Sequence, residues 1–232
     1  CCSTSVKLKG KTVTPNGDIR QRVKCKVCGT NSYHIVSRNI QNDDNVYIKK
    51  QNSVKRYVIT ACQNNTAINH DFLHTLSEYC EYNNAELMIV PILYRPDDYP
   101  EITYDVPERY NDYFVRSKRQ LHEEVYVMGS FNFIPTTVNP LSGLESISKG
   151  SSLIVPSPQL RMKSLAVSAS RHPAILITTG VISHPEYLSS KTGEKAKFNH
   201  SYSAIVVEID VDNDYHIRVL NSDATGGFYD LD

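Results

Sequence analysis

The stretch "RYVITACQNNTAINHDFLHTLSEYCEYNNAELMIVPILY", Arg56–Tyr94, decides the fold. It opens on "RYVITACQ", a β-branched and aromatic run that reads as a buried strand. It closes on "AELMIVPILY", a second near-continuous apolar run. Between them Phe72, Leu73, Leu76, Tyr79 and Cys80 recur at helical spacing, with Thr66 or Asn69 placed to cap the first turn. Strand, helix and strand in that order predict a β-α-β unit with parallel strands, a right-handed crossover and both sheet faces covered.

Downstream, "RPDDYPEITYDVPERYNDYFVRSKRQLHEE" is rich in Pro, Tyr and charge, and reads as a long excursion ordered by its aromatics. "VYVMGSFNF" and "AILITTGVIS" read as further strands. "SYSAIVVEIDVDNDYHIRVLNSD" reads as an antiparallel hairpin turning at "DNDY". The expected class is α/β or α+β. Its features are a mixed sheet with an early β-α-β unit and a late antiparallel hairpin, preceded by a small zinc ribbon. Three parts are expected: a ribbon over residues 1–36, an Asn- and Asp-rich linker over 37–54, and the body over 55–232.

Hydrophobic residues make up 40% of the 232, enough for a packed core. Lys plus Arg (25) balance Asp plus Glu (25), so the whole chain is not an electrostatic nucleic-acid binder. The balance is uneven, however. Between Lys7 and Lys26 Lys and Arg recur and Asp18 is the sole acid, which points to a local binding surface. There is no apolar run of about 18 residues and therefore no expected membrane span. A charged-then-apolar leader is absent from the sequence as well.

Cys25 and Cys28 form a C-x-x-C pair with a turn glycine, Gly29, directly after it. Such a pair grips one edge of a zinc tetrahedron from a tight turn. Incidental cysteines are the alternative. A site of three or four cysteines leaves no open position for a substrate, so the zinc would be structural. "RQRVKCK" alternates basic with other residues. On a hairpin strand Arg20, Arg22, Lys24 and Lys26 would share one face and meet a nucleic-acid backbone, or a protein.

The amino-terminal residues resemble the zinc ribbon of insertion-sequence transposase subunits. Ser3, Thr4, Lys7, Gly10, Gly17, Arg20, Gln21, Arg22, Cys25, Cys28 and Gly29 match that pattern. The resemblance implies Cys1 as a third ligand, with an upstream Cys or His34 as the fourth. Cys2 is adjacent to Cys1, and consecutive side chains diverge too far to chelate one ion well.

In the body, His70 and His74 stand four apart on the expected helix, without the glutamate that a zinc-protease pattern needs. Asp97, Asp98 and Asp105 are either a solvated acidic loop or paired acids that hold Mg²⁺ for phosphodiester chemistry. Three polar stretches follow apolar strands: "CQNNTAINH", "PTTVNPLSG" and "TTGVISHPEYLSSKTGEKAKFNH". Parallel strands of one sheet end at one edge, so these loops are expected to converge there. The candidate catalytic residues are His200, Lys191, Asn65, Thr137 and Thr179. Neighbouring lysines would hold the His200 imidazole neutral near pH 7.

"NPLSG", "TTG" and "KTGEKAKFNH" are similar to segments of uncharacterised tailed-bacteriophage proteins. Together the resemblances imply a phage or mobile-element DNA-binding protein of the host cytoplasm. Its body would be nuclease-like or otherwise phosphodiester-acting. The rival expectation is a non-enzymatic DNA-binding or host-interaction protein.

Overall fold

The computed structural model describes residues 6–13, 19–37, 53–169 and 171–230. Its strands form three sheets. The first is an antiparallel meander of β1 (Val6–Val13), β2 (Ile19–Cys25) and β3 (Asn31–Ser37). Most of the linker expected over 37–54 falls outside the described residues.

The expected β-α-β unit is present. β4 (Lys55–Gln63) and β5 (Ala85–Ile92) are parallel neighbours, joined through α1 (His70–Tyr82). Asn69 starts the helix: its side-chain oxygen accepts the Phe72 N–H at 2.9 Å. After Tyr82, Asn84 takes a positive φ of 50°, a conformation Asn tolerates, and the chain turns into β5. The late hairpin, β11 (Ser203–Ile209) with β12 (Tyr215–Asn221), adds its first strand antiparallel to β4. The resulting order β12-β11-β4-β5 is the expected mixed sheet.

A second sheet of the body was not separated by the sequence reading. It runs β6 (Lys118–His122), β7 (Val125–Met128), β8 (Ser152–Val155), β10 (Ala174–Thr178) and β9 (Met162–Leu165), in that spatial order. β7, β8 and β10 are parallel, and both edge strands are antiparallel to their neighbours.

The period-2 alternation of strands explains how the layers stack. Ile59, Ala61, Met88, Val90, Ile205 and Val207 leave one face of the four-stranded sheet. They bury against Leu121, Val125, Val127, Ile154 and Ile177 of the five-stranded sheet. Their strand neighbours Val58, Cys62, Leu87, Ile89, Ala204 and Val206 leave the opposite face and meet Phe72, Leu73, Leu76 and Cys80 of α1. The outer face of the five-stranded sheet, with Leu153, Val155 and Leu176, is covered by Phe131, Phe133, Leu141 and Leu144. That covering segment leads into the short α2 (Glu145–Ser148). Two sheets face to face, each capped on its far side, are why β4, β5 and β11 are apolar on both faces.

Candidate functional site

The three polar loops lie together at one edge of this sandwich, and hydrogen bonds link them. The Gln63 N–H donates to Ser183 Oγ at 2.7 Å, and Gln63 Nε2 donates to Thr66 Oγ1 at 3.0 Å. Main-chain bonds tie Ile182 N–H to the Ala61 carbonyl, Asn69 N–H to the Ile182 carbonyl and His184 N–H to the Ala67 carbonyl, all within 2.8–2.9 Å. Gln159 reaches the remaining loop. Its Nε2 donates to the Pro135 and Thr137 carbonyls at 3.2 and 2.9 Å. The Thr178 hydroxyl donates to the Gln159 carbonyl at 2.7 Å. Gly180 makes the junction tight. Its φ is +69°, and a Cβ there would lie 1.8 Å from Ser203 Oγ.

His200 sits where the loops meet, in an isolated antiparallel bridge with Gln159. Its Nε2 is 2.8 Å from the Ser183 carbonyl, and its Nδ1 is 2.7 Å from the Tyr187 hydroxyl. A carbonyl only accepts, so Nε2 carries the hydrogen and Nδ1 accepts from Tyr187. Burial pulls the imidazole down from 6.5 to about 4, against the opposing effect of the Ser183 bond, and nearby His184 adds to the lowering. The direction agrees with the sequence expectation, but the cause is a correction: burial, not the neighbouring lysines. Tyr202 packs edge-on to the same ring at 5.3 Å, and burial holds the Tyr187 hydroxyl above its ordinary value.

The other expected residues are distributed as follows. Thr179 is fully buried, and its hydroxyl donates to the Gly180 carbonyl at 2.6 Å. Thr137 is half-buried and supplies a carbonyl to Gln159. Asn65 takes a positive φ of 50°, and its amide donates to the Glu101 carbonyl and Thr103 Oγ1. Lys191 is exposed and opens α3 (Lys191–Phe198), whereas His200 follows the far end. The helix sets their backbones apart by about 10 Å. Gln159, Ser183 and Tyr187 were missed. The two prolines flanking the serine in "VPSPQLR" were the one local sign that this stretch is held in a defined turn.

At the ribbon, Val27 N–H and Cys28 N–H point at Cys25 Sγ, at 3.3 and 3.5 Å. Gly29 follows with φ +74°, and its N–H bonds the Cys25 carbonyl at 3.1 Å. Two N–H groups aimed at one sulfur stabilise a thiolate, and a left-handed glycine closes the knuckle, so this donor pair fits half of a zinc tetrahedron. Cys1 lies outside the described residues, as does the His34 side chain. Along β2, Arg22 and Lys24 are exposed while Val23 and Cys25 are buried, and Lys26 is exposed in the turn beyond. Arg20 stands two residues before Arg22 in the same strand. Lys7 of β1 pairs directly opposite Lys24.

Among the described residues no three His, Cys, Asp or Glu side chains group to hold a metal ion. His70 and His74 are exposed, each near a carboxylate, Asp105 at 3.9 Å and Glu78 at 3.5 Å respectively. Asp98 pairs with Arg95. No helix among the described residues is long and apolar enough to cross a membrane.

The chain is phage-related. It is similar to Protein A1 of Escherichia phage T5, 28% identical over 192 aligned positions that cover 76% of this chain and 34% of that protein. The chain therefore spans about a third of the length of the curated relative it matches. No protein-family model and no solved structure matches it.

Proposed function

We propose that the chain is a phage DNA-binding protein whose ribbon is fastened by one structural zinc and lays a basic strand face on the DNA backbone. Cys25 and Cys28 would hold the ion with Cys1, and an upstream Cys or His34 would complete the set. Zinc would supply a crosslink that a ribbon too small to bury its own core needs. The observation that carries DNA contact is the β2 face: Arg22 and Lys24 point to solvent, and Lys7 stands directly opposite Lys24. Like charges placed across from one another destabilise a sheet, and a phosphate backbone relieves that repulsion.

The body is read as a recognition module rather than a nuclease. What supports this is that the amides and hydroxyls of its loop edge, Gln159 Oε1 apart, are bonded within the protein, mainly to main-chain carbonyls, with both ring nitrogens of His200 engaged. One observation favours the phosphodiester-acting reading instead. A groove of about 470 Å³ beside that edge is lined by Asn65, Thr66, Thr103 and Asp105, where Mg²⁺ could be drawn.

Fluorescence anisotropy with labelled duplex DNA tests the proposal. Arg22→Ala with Lys24→Ala should weaken binding about equally for all sequences and lower the slope of log K against log salt by about 1.8. Unchanged binding would refute the ribbon face. Mg²⁺-dependent cleavage of the same duplex, lost in Asp105→Asn, would replace the recognition module by the phosphodiester-acting one.

A further inference from the structure

α3 carries an outward stripe that the fold does not account for. The helix is fixed at both ends. Ser190 Oγ accepts the Gly193 N–H at 3.1 Å, and Asn199 Nδ2 donates to the Lys195 carbonyl at 2.9 Å just before His200. Gly193 and Ala196 are its buried residues. A Cβ at Gly193 would lie 1.9 Å from the Leu188 carbonyl oxygen, so that side of the helix is pressed against the loop before it. At 3.6 residues per turn Lys191, Lys195 and Phe198, spaced i, i+4 and i+7, fall on one stripe opposite that side, about 10 Å long. All three are exposed.

Stability explains neither end of this stripe. Lys191 is the first helical residue, where the helix dipole is positive and an acid is favoured, as Glu194 of the same turn is. Phe198 is 89% exposed, and the other five phenylalanines are buried or half-buried. The lysines and arginines ion-paired among the described residues are Arg56, Arg95, Arg119, Lys163, Arg171 and Arg218. Lys191, Lys195 and Lys197 have no such partner among the described residues, and α3 sets these three lysines against one acid. The stripe therefore offers two uncancelled cations in line with a ring whose faces are open to solvent. That pairing matches a strand whose phosphates are anionic and whose bases are unstacked. A helix lying on a membrane needs a continuous apolar face, and here the stripe has a single apolar residue on a helix of eight.

We propose that this face of α3 binds a single strand of nucleic acid, with Lys191 and Lys195 on backbone phosphates and Phe198 stacked on one base. Every base has a π-face, so the binding is sequence-tolerant. The inference rests on the reading of the body as a recognition module, and it does not require the ribbon contact.

The test is anisotropy of a labelled oligothymidylate with the full chain in EDTA, across a salt series. Lys191→Gln with Lys195→Gln removes two phosphate contacts. The slope of log K against log salt should fall by about 1.4, and affinity at about 0.1 M salt should drop roughly 25-fold. Phe198→Leu keeps an apolar side chain but no ring. It should weaken binding roughly 5- to 150-fold and leave the slope unchanged. Both losses should recur on the Arg22→Ala, Lys24→Ala background. An unchanged slope in the lysine variant, with its urea midpoint intact, overturns the proposal, and so does wild-type affinity in Phe198→Leu. Vesicles of phosphatidylserine and phosphatidylcholine supply the other arm. Vesicle binding lost in the lysine variant but kept in Phe198→Leu, with oligothymidylate binding unaltered in both, overturns it in favour of a membrane surface. Oligothymidylate binding lost in the ribbon variant but intact in the α3 variants overturns this proposal alone. Cleavage of the oligothymidylate when Mg²⁺ replaces EDTA overturns the recognition-module reading, and the series in EDTA reads the stripe separately.

Discussion

Acid should unfold this protein early, and His200 should be one reason. The imidazole titrates at 6.5 in the unfolded chain and at about 4 in the folded one, because it is buried. Above pH 6.5 both states are neutral and the group is indifferent to pH. As the pH falls below 6.5 the unfolded chain takes up the proton first, so stability declines by about 1.36 kcal/mol per pH unit. The decline ends near pH 4 after a total of about 3 kcal/mol, of which about 2 kcal/mol falls between pH 6.5 and 5. His200→Gln keeps an amide donor for the Ser183 carbonyl and an acceptor for Tyr187, but does not titrate. At pH 7 it should cost about 1–2 kcal/mol through poorer hydrogen bonds. Urea unfolding of both proteins at pH 7 and pH 5 separates the two effects. At pH 5 the difference should shift by about 2 kcal/mol in the variant's favour, which closes or reverses the gap. A gap that stays constant would refute the buried neutral imidazole and with it the closed loop edge.

His172 should behave in the opposite sense. Its ring bonds Asp214 and Glu124 through its two nitrogens, at 2.9 Å each, and these partners raise its pKa above 6.5, while Arg171 bonds the same Glu124. Its stabilisation is present below pH 6.5 and is lost as pH rises through the folded value, so His172→Gln should lower the melting temperature more at pH 6 than at pH 8. Equal lowering at both would contradict the clamp. Gly180→Ala should cost about 2–5 kcal/mol, from the positive φ and from the collision with Ser203, read as a lower urea midpoint. A near-neutral result would mean that the loop junction is loose. Burial pushes the Cys62 and Cys80 thiols up to about 12, whereas Cys28 is exposed. In chelator-treated, folded protein a thiol reagent should therefore label Cys28 before Cys62 and Cys80, and mass spectrometry of the labelled peptides reads the order.

The part of the fold visible in the sequence is the part whose determinants are local. "RYVITACQ" and "AELMIVPILY" are long enough to read as buried strands, and Phe72, Leu73, Leu76 and Cys80 mark the helix face that covers them. Of the second sheet, "VYVMGSFNF" and "AILITTGVIS" were legible as strands, but Ser152–Val155 between them has four residues, too few to show a period, and no local signal assigns these strands to a sheet of their own. Nor does any local signal say that Leu121, Ile154 and Ile177 face Ile59 and Val90 across two sheets. The candidate edge shows the same division. Its loops were legible as polar runs after apolar ones. Gln159 and Ser183, which stitch them together, look like ordinary loop residues until distant carbonyls are brought to them. His200 illustrates the limit most sharply. Its sequence neighbours are lysines, but its ring is enclosed by Ser183, Tyr187 and Tyr202, and the enclosure sets its charge.

Amide hydrogen exchange with and without duplex DNA tests the DNA-binding proposal most directly. A ribbon that meets the backbone through β2 predicts slowed exchange across Ile19–Cys25 and the turn to Thr30 on adding DNA, weakened by Arg22→Ala with Lys24→Ala. No change in those amides under conditions where DNA is bound would contradict it.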